Sequence, residues 1–569
     1  MRITIIFLLL LISNASAQDD STYFAAPLDI PMILSGNFAE LRSNHFHTGI
    51  DIKTQGVTGK NVLAAADGVV SRIAVSPYGY GRALYIDHPN GQTTVYGHIE
   101  RFTGKIADAV RAEQYRLESF NVDFSPVEEI RVSRGDVVAK SGNSGSSGGP
   151  HLHFEIRDTE SEHPLNPLKF GFDIEDNLPP RIRGIRFHPL GDTTLINGVN
   201  KAKSFIVVGG SGSYSVRAGQ DISVYGAFGI SVHTLDYLNG APNKCGVYDL
   251  ELRVNEELIC KTVFDELDFS TVRHINSYKD YEVYKTNRWH YHKSFVDPGN
   301  QLEIYSGEMD GNGVIHIAEN KTNTGIYSLK DAYGNKSELK FNFKSVDKPN
   351  GKLPTAKPYD AYFHFDRDND FAYADELEIA IPAGALYRDL RFNFGREMPG
   401  DKHYSAIFTI QNEYIPLQKP AELKFNISNV PANLRSKLLV VHYNPQDARS
   451  YITGSVEGNA YVAKIKEFGR VALITDSEAP ELKASKWSGG GTVNDQSMLY
   501  FYVSDNTSGL ASYKAFLNGS WTLSEYDYKE GRIEIGVGEA EFQKGENTLR
   551  VLVEDGCGNS TEREFKYNY

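Results

Sequence analysis

His151 and His153 stand two apart in Gly148-Gly149-Pro150-His151-Leu152-His153-Phe154-Glu155-Ile156, behind a Gly/Ser-rich loop from Ser141 to Gly149. Polar and apolar residues alternate here, which is the period of a strand. Side chains two apart on a strand share a face, so both imidazoles point one way while Leu152 and Phe154 point into a core. One imidazole can hold a metal while its neighbour handles a proton. The spacing alone proves little. A second pair, His290-Tyr291-His292, follows Trp289 with no accompanying motif and reads as an aromatic strand.

Upstream lie His47-Thr48-Gly49-Ile50-Asp51 and Val95-Tyr96-Gly97-His98. A catalytic zinc site needs three protein ligands and an open position. His47 and Asp51 have the spacing of one helical face, but Thr48, Gly49 and Ile50 are poor helix formers. We expect a turn at Gly49 leading into a strand, with both side chains brought to one point. Gly97 permits close approach of another chain or a ligand. His45 and His88 read as loop and hairpin-end histidines. Glu155 shares the histidine face; we read it as solvated, with orientation of a histidine as the other role open to it.

Taken in order, these segments resemble the lysostaphin-like zinc metalloendopeptidases, which cut peptide bonds in bacterial peptidoglycan. That family carries His-x-Gly-x-Asp, then Gly-His, then His-x-His. Asp67-Gly68-Val69-Val70, Ser141-Gly142-Asn143-Ser144-Gly145 and Asn166-Pro167-Leu168 add to the likeness, which runs from Asn37 to Leu168. The resemblance implies one Zn2+ per chain held by His47, Asp51 and His153, with His98 and His151 catalytic. It implies hydrolysis by a zinc-activated water on a peptidoglycan peptide substrate. The family fold is an antiparallel β barrel-like sandwich, the duplicated hybrid motif. A noncatalytic envelope-binding scaffold and a secreted protease acting on proteins are the rival readings. The complete ligand set favours an enzyme.

The elements that must position these residues are short and β-rich. Ala83 to His88 and Gln92 to His98 flank Asn90-Gly91, a type I′ hairpin signal. Ile106 to Phe120 has helical composition and reads as an insertion. At 569 residues the chain exceeds one core, so about four domains are expected. We divide it into a signal peptide (1–17), a zinc metallopeptidase domain (18–178), an immunoglobulin-like β-sandwich with insertions (179–346), a β-rich module (347–477) and a second immunoglobulin-like β-sandwich (478–569). The fold class is all-β, with about three β-sandwich modules after the peptidase.

The two sandwich assignments rest on a repeat. Asp331-Ala-Tyr-Gly-Asn335 recurs as Asp555-Gly-Cys-Gly-Asn559, and the prolines at Pro179-Pro180 recur at Pro480. An envelope protein or glycan is the expected partner of these modules.

The formal net charge of −14, with no dense basic run, argues against nucleic acid. Arg2, the apolar run Ile5 to Ile12 and Ala15-Ser16-Ala17 read as a cleaved export signal. No later stretch is long and apolar enough to span a bilayer. We therefore expect the mature chain in the periplasm or outside the cell. Of Cys245, Cys260 and Cys557 at least one is unpaired, and Cys245 and Cys260 do not fall opposite each other about the hairpin turn near Asn255-Glu256, so no structural disulfide is expected.

Overall fold

Strands hold 46% of the chain and helices 8% in the computed structural model, which places the protein in the all-β class. The structure describes residues 23–569 except 308, 318, 350, 351, 354, 356, 401, 445 and 446. The expected leader at 1–17 lies outside the described residues. Among the described residues no helix is long and apolar enough to cross a membrane.

The strand His151–Asp158 is the centre of the N-terminal sheet. It runs antiparallel between Ile50–Lys53 on one side and Gln92–Gly97 on the other. Leu34–Gly36 extends the sheet beyond Ile50–Lys53; Arg82–Asp87, Gly68–Val75 and Val122–Phe124 extend it beyond Gln92–Gly97. A second sheet pairs Asn61–Leu63, Val137–Ser141 and Ile99–Phe102. Ile52, Val62, Leu84, Tyr96, Leu152 and Phe154 belong to the core of this unit. Each buried side chain of this size contributes about 1.5–3 kcal/mol.

The hairpin over Asn90-Gly91 forms, but not with a type I′ turn. The amide of Gly91 bonds to the carbonyl of His88 (3.1 Å), and only Gly91 has positive φ (81°). Pro89 fixes φ near −65°, so it takes the first corner of an ordinary turn and Gly91 closes a three-residue loop. The helical insertion spans Gly104–Leu117 and buries Ile106, Val110 and Gln114 at a spacing of four. Its outer face meets the C-terminal unit: Arg111 Nη2 and Tyr115 Oη donate to the carbonyl of Glu539 (2.6 and 3.2 Å). The Tyr115 ring meets the Trp521 ring edge-on at 5.2 Å.

Three further cores follow, within 182–343, 363–473 and 482–567. The sequence repeat is a structural one. Asp331 Oδ1 accepts the amides of Tyr333 and Asn335, and Asp555 Oδ1 accepts those of Cys557 and Asn559. Asn335 Nδ2 donates to the carbonyl of Asp176, and Asn559 Nδ2 to that of Asp476. Ser337 and Thr561 reach the carbonyls of Pro180 and Pro480 in the same way. The three cysteines are buried free thiols.

Cores also cross between units: that of the N-terminal sheet takes in Leu238 and Cys245 of the second unit, and a smaller one is built across the same join. Phe38, Leu41 and Phe46, just before the first histidine motif, pack with Phe264, Tyr278 and Leu302 of the following unit. Phe46 is fully buried, with Phe264 and Tyr278 rings 5.7 and 5.9 Å away. Lys279, also buried, donates to the carbonyls of Arg42 and Ser43. The segment that delivers His47 is therefore seated on the second unit.

Candidate metal centre

Sheet register brings the motifs together. His153 lies opposite Asp51 on one side and Gly97 on the other. A Cβ at Gly97 would stand 3.4 Å from that of His153 and 3.2 Å from the Tyr80 ring, so glycine keeps the neighbouring strand close. His98 follows immediately in the left-handed region (φ 58°), a conformation that a non-glycine residue keeps only where its surroundings hold it. Gly49 lies at a bend, as expected, but its use is close approach: a Cβ there would come 2.4 Å from the Phe154 carbonyl oxygen.

His47 Nε2, Asp51 Oδ1 and His153 Nδ1 form a triangle with all three sides 3.0 Å. The other nitrogen of each histidine is committed. His47 Nδ1 donates to the carbonyl of Asn37 (2.7 Å), and His153 Nε2 donates to Glu155 Oε1 (2.7 Å). In their neutral forms both rings therefore aim lone pairs at one another and at a carboxylate oxygen. Such a cluster calls for a cation. Ligand atoms around a tetrahedral zinc, with bonds of about 2.0–2.1 Å, stand ~3.3 Å apart, close to the spacing found here. Two nitrogens and one oxygen are also a donor set that zinc accepts.

His98 and His151 border this triangle. Their rings are 4.7 Å apart, and that of His98 is 5.9 Å from His153. His98 Nδ1 donates to the carbonyl of Ser144 (2.9 Å) and His151 Nδ1 to that of Gly149 (2.8 Å). His151 Nε2 is 3.4 Å from Asp51 Oδ1. The Gly/Ser loop thus holds both imidazoles by its carbonyls. Ser144 Oγ anchors that loop by donating to the carbonyl of Ile99 and accepting the amide of Arg82. All five residues singled out from sequence meet at one place.

Electrostatics follow burial. Desolvation outweighs the pull of Asp51 and lowers His47; burial, then the charges of His153 and His151, lower His98 to about 3. Burial also disfavours charge on His153, but bonds to Asp51 and Glu155 outweigh it and raise this ring to about 9. A proton on His153 does there what a metal would do, bridging the lone pairs. Burial would raise Asp51, yet His47, His151 and His153 hold it well below the usual carboxylate range.

Glu155 differs from the expected solvated side chain. It is fully buried, and Arg157 Nε donates to its Oε2 (2.7 Å). Thr48 and Tyr80 hydroxyls donate to its Oε1 beside His153. Burial would raise this carboxyl, but Arg157 and His153 hold it far below its ordinary value. His153, Glu155 and Arg157 share one strand face at a spacing of two, a signal present in the sequence. Tyr80 and Arg42 carried none. Arg42 Nη2 holds Asp51 Oδ2 at 3.0 Å, leaving Oδ1 to the triangle. The second His-x-His pair joins no such cluster among the described residues; His292 is buried beside the Tyr278 hydroxyl (3.0 Å).

The comparisons with known proteins fall on the same stretch of chain. Residues 45–115 and 116–167 match the model of peptidase family M23, and residues 360–476 match a Zu5-like domain. The DD-carboxypeptidase/endopeptidase Mpg of Neisseria meningitidis serogroup B is 33% identical over 128 residues, 22% of this chain and 23% of that protein. The peptidoglycan DD-endopeptidase ShyA of Vibrio cholerae serotype O1 is 27% identical over 161 residues, 27% of this chain and 31% of that protein. Among solved structures, a mutant catalytic domain of the M23 protein EnpA from Enterococcus faecalis is 25% identical. It covers 25% of this chain and 95% of that one, at a TM-score of 0.20. The stretch of this chain that matches spans about a quarter of the first curated relative. The N-terminal unit carries a peptidase M23 domain, of the lysostaphin-like kind that its motifs resemble.

Proposed function

We propose that this protein is an exported zinc metalloendopeptidase that hydrolyses peptide bonds in bacterial peptidoglycan. The observation that carries this reading is the triangle of His47 Nε2, Asp51 Oδ1 and His153 Nδ1, bordered by His98 and His151. These three atoms would hold one zinc ion per chain. Bound zinc supplies Lewis acidity and lowers the pKa of water toward about 7.

The chain's own groups do the rest. With Nδ1 donating to a loop carbonyl, each of His98 and His151 keeps Nε2 as a proton acceptor in its neutral form. One accepts the proton of the attacking water and returns it to the leaving amine. The other, when protonated, donates to the oxyanion that develops on the scissile carbonyl. Glu155 fixes the tautomer of His153, and Arg42 fixes the rotamer of Asp51.

Peptidoglycan is the substrate named for ShyA, one relative that shares this stretch. We assign residues 1–17 to a signal peptide and 18–178 to the peptidase domain. Units 179–346 and 478–569 are assigned as immunoglobulin-like modules flanking the β-rich module 347–477, together engaging an envelope protein or glycan. The enzyme acts in the periplasm or outside the cell. Digestion of purified sacculi, with fragments identified by mass, tests the reading against a protein substrate and against His153→Ala. Cleavage of protein alone would make it a secreted protease. Cleavage of neither by a zinc-loaded chain would leave an envelope scaffold.

A further inference from the structure

Asp176, Asp236 and Asp331 each bring a carboxylate oxygen within 4.8 Å of the other two. They come from three separate segments. Asp176 lies just ahead of Pro179-Pro180, Asp236 follows the strand Phe228–Leu235, and Asp331 opens the turn between Lys321–Lys330 and Lys336–Ser345. Asp236 is 1% exposed and Asp331 3%.

Their oxygens are unequally served. Asp331 accepts two amides at Oδ1 and Asn335 Nδ2 at Oδ2. Asp176 Oδ1 accepts the amide of Leu178 (3.1 Å). Asp236 Oδ1 and Asp176 Oδ2 are buried with no hydrogen-bond partner, and so is the nearby Tyr333 hydroxyl. Buried polar atoms are almost always paired, and an anionic oxygen is the costliest to leave alone. Burial first, and then the neighbouring aspartates, raise Asp236 to about 8. Carboxylates this close cannot all stay ionised without a positive charge among them.

We propose that Asp176, Asp236 and Asp331 bind a calcium ion at the junction between the peptidase domain and the unit that follows it. An all-oxygen donor set selects a hard cation. Calcium tolerates irregular geometry and sheds its water, whereas magnesium keeps several waters and demands a near-ideal octahedron. Two nearly inaccessible carboxylates leave little room for a hydrated ion. The bound ion ties the linker before Pro179 to the strand end and turn of the next unit. It thereby stiffens the joint between the two units.

The repeat supplies an internal contrast. Asp476, Asp505 and Asp555 cluster in the same way in the C-terminal unit. Backbone amides of Glu478, Ser508, Thr507 and Cys557 already serve these carboxylates. None of their oxygens is among the buried unpaired atoms of the described residues. That cluster carries no ion in this proposal.

The test uses the full chain, stripped with EGTA, reloaded with zinc and dialysed against calcium chloride. One calcium per chain and a Tm that rises with calcium are expected. Asp236→Asn should weaken calcium binding by about tenfold or more and make Tm insensitive to calcium. Asp505→Asn should change neither. If Asp236→Asn fails to fold, Asp176→Asn, at a less buried position, is read in the same way. The proposal is overturned if the natural chain binds no calcium, or if both Asp236→Asn and Asp176→Asn retain it. Equal affinity for magnesium would overturn the choice of ion.

Discussion

The Nε2 of His153 lies 2.7 Å from Oε1 of Glu155, two positions along the same strand, with both side chains buried. In the neutral ring the carboxylate holds the proton on Nε2, which leaves the Nδ1 lone pair free for a metal shared with His47 and Asp51. Arg157 in turn neutralises Glu155. This relay backs one candidate ligand, His153, with a carboxylate and an arginine from its own strand face.

Glu155→Gln should therefore weaken zinc binding by about tenfold to a hundredfold, the usual effect of losing a partner behind a ligand. It also strands Arg157, so a stability loss of about 3–5 kcal/mol is expected. Competition with a chromophoric chelator reads the first effect and urea unfolding the second. Unchanged zinc affinity in the folded variant would remove Glu155 from the centre.

His151 and His153 are neighbours on one strand face and separate two roles. Zinc should be lost from His153→Ala and retained near one per chain in His151→Ala. Turnover should fall in both, in His151→Ala by ~10²-fold or more for a lost proton-transfer or oxyanion group. Metal analysis of the two purified, folded proteins decides the point. Equal zinc in both would falsify the division of labour.

The second His-x-His pair should behave as buried base rather than metal site. Burial, then the charges of His290 and His233, lower His292 to about 3. Unfolded histidine titrates near 6.5, so between these values only the unfolded chain binds the proton. The stability is complete above pH ~6.5 and falls by about 1.4 kcal/mol per pH unit as acid is added, down to the folded value. His292→Gln should flatten the pH dependence of unfolding between about pH 6 and 4 by that one-proton slope. An identical slope in both proteins would contradict the assignment.

Phe46 couples the candidate metal centre to the second unit. Phe46→Ala should destabilise the chain by about 3–5 kcal/mol, because Phe264 and Tyr278 leave a cavity that cannot close. A fragment ending near residue 178 lacks those partners altogether. Its zinc affinity should fall below that of the full chain, since the segment carrying His47 loses its seat. Equal affinities in side-by-side titrations would show that the fragment holds His47 unaided.

Much of this protein is local and was legible in its sequence. Alternation marked the strand His151–Asp158, helical composition marked the insertion, and the Asp-x-x-Gly-Asn turn marked the two related hairpins. Each is fixed by a few adjacent residues, so period and turn chemistry suffice. The five residues of the centre were legible as motifs, because each supplies a donor type at a set spacing. Their meeting is another matter. His47 and His153 are 106 positions apart, and only the register that sets His153 opposite Asp51 and Gly97 brings them within bonding distance. Register depends on how both faces of three strands fill their surroundings, which no single segment encodes. For the same reason tertiary packing alone decided the burial of Glu155, the shift of the Asn90-Gly91 turn, the seat of Phe46 in a neighbouring unit and the unpaired oxygen of Asp236. Each depends on what the rest of the chain places around it.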